Sequence, residues 1–226
     1  MSNWDRFVST FLDMNVAERY LPALIHGLGV TLAGGIAVVG TGIATGLMLA
    51  LLRTLKFAPL NFLIIAFVDV FRALPPLAII LIVYFGLPNV GILLPGFVVL
   101  WLCLSLVLSA FSEEIFWAGI TSVAEGQWMA GRATGLTFFQ TLSAIILPQA
   151  IRLAVPPLTN RTISITKNLA LGSAIGVNEI LGEASSGLSM SSNATPLTVG
   201  AGLYVLVFIP LIIVSRLLER RFERRG

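Results

Sequence analysis

The sequence predicts an all-α integral membrane protein with about five transmembrane helices, and three observations carry that prediction. Apolar residues make up 57% of the chain and charged residues only 11%, whereas a soluble domain carries about 25% charged residues. Several runs are apolar over the ~20 residues that a bilayer crossing needs. The runs are separated by charges or turn residues: Arg53 and Lys56, Gly86-Leu87-Pro88-Asn89, the polar stretch from Glu125, and a Ser/Gly-rich stretch at 182–196. No linker or low-complexity segment divides the chain, so residues 1–226 are expected to form one domain.

Taken in order, residues 1–20 are mixed polar, with Asp5, Arg6, Asp13, Glu18 and Arg19, and read as a short amphipathic segment outside the bilayer rather than a signal peptide. Residues 20–52 contain no Asp, Glu, Lys or Arg and supply the first span. Gly42 and Gly46, with Ala37, Thr41 and Thr45, set small residues four apart, a face that lets helices pack closely in lipid. His26 near its start reads as an interfacial polar residue. The second leg, 57–85, is expected to break at Pro75-Pro76. The third runs from about 91 to 123 and encloses Cys103, the one cysteine, read as a small buried hydrophobe. The fourth, 151–180, is the least apolar, and its Ser and Thr content points to a helix buried beside a polar cavity. A polar loop at 182–196 precedes the fifth leg, 197–218, and a basic tail at 216–226.

Five spans put the termini on opposite sides. Arg53, Lys56, Arg132 and the tail arginines then share one side, while the turn at 86–90 and the loop at 182–196 carry no Lys or Arg. The positive-inside rule makes that side cytoplasmic, with the N-terminus outside and the C-terminus in the cytoplasm. The excess positive charge thus points to a cytoplasmic membrane surface and not to nucleic acid.

Charges inside the membrane cost at least ~2.5–3.5 kcal/mol each and are tolerated in protein or in a wet cavity. Asp69 and Arg72 lie ~18–22 Å along a helix from the preceding turn; three residues apart, they either form a local ion pair or face a pathway. Glu113 and Glu114 are adjacent and so point in different directions around their helix. One reading pairs Glu113 with Arg161 or Lys167 for packing, the other turns it toward a pathway. Asn160, Arg161, Lys167 and Asn168 make the fourth leg polar. A zwitterionic solute needs a cation and an anion. Arg72 or Lys167, with Glu113 or Glu114, would supply both.

Catalysis has no foothold. There is no GxxxxGK[ST] phosphate loop, so the chain has no ATPase site of its own. One His and one Cys make neither a metal site nor a nucleophile–base pair. No cofactor is expected in this chain.

The stretch EGQWMAGRATGLTFFQTLSAIILPQ at 125–149 lies between apolar legs without being a span. Ala130, Ala133 and Thr134 fall three and four apart on one face of a short helix, which reads either as an ordinary loop helix or as a surface that a partner approaches closely. Gln127, Met129-Ala130-Gly131, Ala133, Gly135 and Ile146-Leu147-Pro148-Gln149-Ala150 resemble the EAA loop of ABC-transporter permeases of the polar amino acid uptake family. Met129 and Gly131 stand where that pattern has Glu and its second Ala. Weaker likenesses lie at 70–77, at 110–120 and at Lys167-Asn168. In these, Glu114 matches the family's Glu, while Ala73, Leu74, Trp117, Leu169 and Ala170 depart from its pattern.

The resemblance implies a type I ABC importer permease fold with a cytoplasmic EAA coupling loop at 125–148, in which Glu125, Gln127, Ala130, Gly131 and Gly135 meet the ATPase. It implies the membrane subunit of an importer in the bacterial inner membrane that moves a polar or charged amino acid into the cytoplasm. The implied partners are an ABC ATPase dimer holding ATP and Mg, a second permease chain, identical or related, an extracytoplasmic solute-binding protein, and membrane lipid. The expected pathway residues are Asp69, Arg72, Glu113, Glu114, Asn160, Arg161, Lys167 and Asn168. The alternative is an ion-gradient-driven secondary transporter, against which stands the lack of any inverted repeat; a membrane assembly factor is a third class.

Overall fold

The computed structural model describes residues 2–223, without the side chains of 218 and 220–223. Of the expected basic tail, Arg224 and Arg225 therefore lie outside the described residues. Among the described residues the regular elements are helical: α1 (Asn3–Phe11), α2 (Met14–Arg53), α3 (Ala58–Ala73), α4 (Pro76–Gly86), α5 (Gly96–Ser122), α6 (Glu125–Ala133), α7 (Phe138–Thr141), α8 (Leu147–Lys167), α9 (Ile180–Ser191) and α10 (Thr195–Glu223). Short 3₁₀ segments lie at Leu87–Val90 and Asn168–Ile175, and a π segment at Leu142–Ile146.

Four helical stretches are long and apolar enough to cross a membrane: Asn3–Arg53, Gly96–Ser122, Phe138–Ser191 and Thr195–Leu217. Ala58–Ala73 and Pro76–Val90 pass the same test only as a pair, and give a fifth crossing if that pair is counted as one broken span. The break falls at the two prolines. Leu74 is extended (φ −87°, ψ 137°), as the residue before a proline must tend to be, and Pro76 opens the next helix where no N–H is needed.

The chain separates into two compact units. One comprises Met1–Val38, Pro75–Leu104 and Ile165–Ile212; the other Val39–Leu74, Ser105–Ser164 and Ile213–Gly226. In the first, Ser2 and Asp5 cap α1 reciprocally, at 3.1 and 2.8 Å. The stretch read as a polar loop from 182 is instead largely helix α9. Its first turn is held by Glu179, whose buried carboxylate accepts from the N–H groups of Leu181 and Gly182 at 2.9 and 2.7 Å and from the Tyr204 hydroxyl at 2.7 Å. The run of Ser and Gly has weak helix propensity, and this cap together with buried Ala184 and Gly187 outweighs it. Gly27 comes so close to this turn that a Cβ would sit 3.0 Å from the Glu179 carbonyl.

In the second unit the small face of α2, whose spacing predicts close helix packing, meets α5. A Cβ on Gly42 would lie 2.8 Å from Leu108, and one on Gly46 would overlap Ser112. Thr41 and Ser105 hydroxyls bond across the contact at 2.7 Å. A core of Phe116, Ile120, Leu142, Ile146, Ala150, Ala154 and Leu158 joins α5 to the start of α8. Pro148 lies inside this continuous helical run rather than ending it. It cannot donate to a carbonyl one turn back, and just before it the backbone widens, with Leu147 N–H donating to Leu142, five residues back.

Candidate functional site

Two features of the second unit hold most of the residues singled out by sequence. The first is α6 with its flanks. Glu125 occupies the first turn, where a carboxylate favours the helix dipole. Gly135 is left-handed (φ 87°), the conformation glycine adopts at least cost. The chain closes there in a Schellman motif: Gly135 N–H donates to Arg132 at 3.1 Å and Leu136 N–H to Gly131 at 3.3 Å. Arg132 Nη1 donates to the Leu136 carbonyl at 2.9 Å. Thr137 and Gln140 then cap α7 reciprocally, at 2.8 and 3.3 Å.

This loop is therefore a fixed helix–turn–helix. It presents Glu125, Gln127, Met129, Ala130 and Ala133 outward. Gly131 is turned inward: it is buried, and a Cβ there would lie 2.7 Å from Thr141 and 2.9 Å from Ile145. Trp128 stacks on Phe138, ring centroids 5.4 Å apart. Both rings line a cleft of about 510 Å³ with Lys56, Trp117 and Met129.

The second feature is a cleft of about 400 Å³ lined by Arg72, Phe111, Glu114, Ile115, Pro157, Asn160, Arg161 and Ser164. Arg72 Nη1 pairs with Glu114 Oε2. The guanidinium of Arg161 sits 3.8 Å from the Phe111 ring centre, and that of Arg72 5.5 Å from it. Asn160 donates to Glu219 Oε1 at 2.8 Å. Two guanidinium groups thus gather on one aromatic face, and Glu114, partly exposed in the same cleft, pairs with one of them. Among the described residues no group of His, Cys, Asp and Glu gathers to hold a metal.

Residues 42–224 match the family of binding-protein-dependent transport system inner membrane components. The chain belongs to this family of transport permeases. The permease is 36% identical over 212 residues to the probable glutamine ABC transporter permease protein GlnM of Bacillus subtilis (strain 168), covering 92% of this chain and 94% of the relative. It is 35% identical over 178 residues to the probable amino-acid ABC transporter permease protein YckA of the same organism, 79% of this chain and 77% of the relative. A crystal structure of an amino acid ABC transporter with histidines superposes with a TM-score of 0.84 at 30% identity, over 93% of this chain and 99% of that one. The type I importer permease fold follows, and the ion-gradient alternative finds no support.

Other residues of the permease depart from the pairings that sequence offers. Asp69 is exposed, and Arg72 pairs with Glu114 in place of Asp69. Glu113 turns away from the cleft and is wholly buried; its Oε1 accepts from Arg53 Nη1 at 3.0 Å, so neither Arg161 nor Lys167 is its partner. Trp117 completes the arrangement, its ring 4.4 Å beneath the Arg53 guanidinium. Lys167 and Asn168 belong to the first unit, where the Lys167 ammonium lies 5.6 Å from the Phe208 ring centre. Sequence reading placed Arg53 as a helix end and a marker of the cytoplasmic side, and missed it as the partner of buried Glu113. The available signal was that a charge so deep as Glu113 requires a counter-charge on a neighbouring helix. Glu179 was missed for a similar reason, since it stands at the edge of a stretch read as loop.

Proposed function

We propose that the permease moves a polar or charged amino acid into the cytoplasm, with the cleft of Arg72, Glu114, Asn160 and Arg161 on its route. The carrying observation is that this cleft offers two guanidinium groups on the Phe111 ring and the carboxylate of Glu114 paired with one of them. The α-carboxylate and ammonium of a solute lose water on entering such a cleft and need partners of opposite sign. The amino acid named for GlnM supports the class of solute.

The rigid outward face of α6 is the surface for the ATPase, through Glu125, Gln127, Met129, Ala130 and Ala133. Gly131 and Gly135 build that surface by packing and by turn geometry. ATP and Mg bind the ATPase dimer, a second permease chain, identical or related, completes the pathway, and an extracytoplasmic binding protein delivers the solute. The N-terminus lies outside and the C-terminus in the cytoplasm, which puts α6 within reach of the ATPase. ATP binding and solute delivery favour different states of the pathway, which is how transport is driven.

Proteoliposomes holding the permease, its ATPase and its binding protein test the reading. Binding protein loaded with an amino acid is expected to stimulate ATP hydrolysis and uptake together. Uptake that persists with a hydrolysis-dead ATPase and follows an ion gradient would overturn it.

A further inference from the structure

Helix α1 (Asn3–Phe11) has no role in the cleft or the coupling loop, yet it is capped and pinned. Its apolar residues Trp4, Phe7 and Phe11 fall three and four apart and so share one face. Their rings stack along it, centroids 5.7 and 5.0 Å apart, and they stand 69%, 46% and 40% exposed. The polar face carries Asp5 and Arg6, whose charges cancel. None of the residues of α1 is buried.

The attachment of α1 fixes its level. Asn193 Nδ2 donates to the Ser9 carbonyl at 2.8 Å, and Ala194 N–H to the Thr10 carbonyl at 2.9 Å. Asp13 N–H donates to Thr195 Oγ1 at 3.0 Å. Thr195 is the first residue of the span Thr195–Leu217, and Asp13 immediately precedes α2. The C-terminal end of α1 is thereby tied to the first residue of a helix long and apolar enough to cross a membrane.

We propose that α1 is an interfacial anchor that lies along the membrane–water boundary with Trp4, Phe7 and Phe11 among the lipids. Aromatic side chains concentrate at that boundary, and an amphipathic helix there buries its apolar face 5–10 Å deep, to order of magnitude. Because the polar face has no net charge, the occupant is the apolar–polar boundary itself and not anionic headgroups. The anchor would hold the start of the first span level with the start of the last, independently of which side of the membrane it occupies.

Spin labels on the full-length permease, assembled with its ATPase in phosphatidylcholine vesicles, test this. In a Cys103→Ala chain, Phe7→Cys and Phe11→Cys are compared with Ser9→Cys on the opposite face. Collision with oxygen relative to a water-soluble nickel chelate is expected to be several-fold higher at 7 and 11 than at 9. The contrast should persist when phosphatidylglycerol or salt is added. Should Phe7→Cys fail to assemble, Trp4→Cys reports the same face. Equal nickel access at every site overturns the proposal. So does protection at 7 and 11 that appears only with the binding protein, which would make the face a protein-docking surface. Spin–spin broadening between two copies overturns it as well, in favour of a contact between chains.

Discussion

Arg72 near the end of α3 pairs with Glu114 within α5, 42 positions further along the chain. The two side chains are 35% and 47% exposed. An ion pair so open contributes about 0–1 kcal/mol to stability, so stability alone does not account for placing it inside spans. Glu114→Gln is therefore expected to shift unfolding by less than about 1 kcal/mol. If Glu114 meets the solute, losing a charge-assisted contact of about 1.5–3 kcal/mol weakens binding roughly 10- to 100-fold. Uptake at matched protein level checks this, with basal ATP hydrolysis unchanged. Unaltered uptake and selectivity in Glu114→Gln, Arg72→Gln and Arg161→Gln would remove the cleft from the route.

The neighbouring carboxylate behaves differently. Glu113 is wholly buried against Arg53, with Oε2 left without a hydrogen-bond partner. Removing one member of a buried pair leaves an uncompensated charge and costs about 3–5 kcal/mol. Arg53→Met should lower the unfolding free energy by about that amount, and Arg53→Met with Glu113→Leu should recover much of it. Denaturation in detergent measures both. Additive losses in the double variant would show that the pair is not coupled.

The loop proposed to couple to the ATPase separates bulk from backbone. Ala130 is exposed on α6, so Ala130→Arg leaves the fold intact and is expected to abolish co-purification of the ATPase. Gly135 has φ 87° and nothing within 4 Å of a Cβ, so Gly135→Ala strains the turn without blocking a surface. That substitution should cost roughly 1 kcal/mol and weaken ATPase binding only as far as the turn loosens. Pull-down with each variant decides: retention of the ATPase by Ala130→Arg would move the docking surface elsewhere.

Much of this architecture was legible in sequence where one physical rule dominates. The break at Pro75-Pro76 follows from a missing N–H, and the close packing at Gly42 and Gly46, though not its partner α5, follows from small residues at helical spacing. The four long apolar helices, and a fifth crossing where the pair broken at the prolines counts as one, follow from hydropathy and length. What was not legible depends on partners remote in sequence. Arg53 and Glu113 are 60 residues apart, and Arg72 prefers Glu114 to the nearby Asp69. Helix α9 is hidden because its cap, Glu179, outweighs a Ser/Gly composition that alone reads as loop. Of the cleft, Arg72, Glu114 and Arg161 stand out by the cost of burying charge in a membrane and Asn160 by the polarity of its leg, but Phe111, which gathers both arginines, gives no such signal.

The α2–α5 contact yields a packing prediction. At Gly46 a Cβ would meet the Ser109 carbonyl at 2.7 Å and the Glu113 backbone nitrogen at 2.9 Å, both immobile atoms. Gly46→Ala should destabilise the protein by about 1–3 kcal/mol, as overpacking does. Gly40, on the same helix with nothing within 4 Å of a Cβ, is the control, and Gly40→Ala should be neutral or slightly stabilising. Thermal unfolding of the two variants checks the difference, and equal stability would show that the helices separate without cost.

The orientation proposed from charge determines whether α6 is accessible to an ATPase at all. Arg53 and Lys56 flank one turn and Arg132 lies on α6, whereas α9 and its flanks carry no Lys or Arg. With an odd number of spans, retaining the basic turns in the cytoplasm puts the N-terminus and α9 outside. Two exposed positions report on the two sides. Met190 in α9 is 79% exposed, and Gly126 in α6 has no neighbour within 4 Å of a Cβ. In a Cys103→Ala chain, Met190→Cys is expected to react with an impermeant thiol reagent added to intact cells. Gly126→Cys should react only after the membrane is opened, and binding of the ATPase should then slow it. Labelling of Gly126→Cys in intact cells would put α6 on the face where ATP is absent and would overturn both the orientation and the coupling role of the loop.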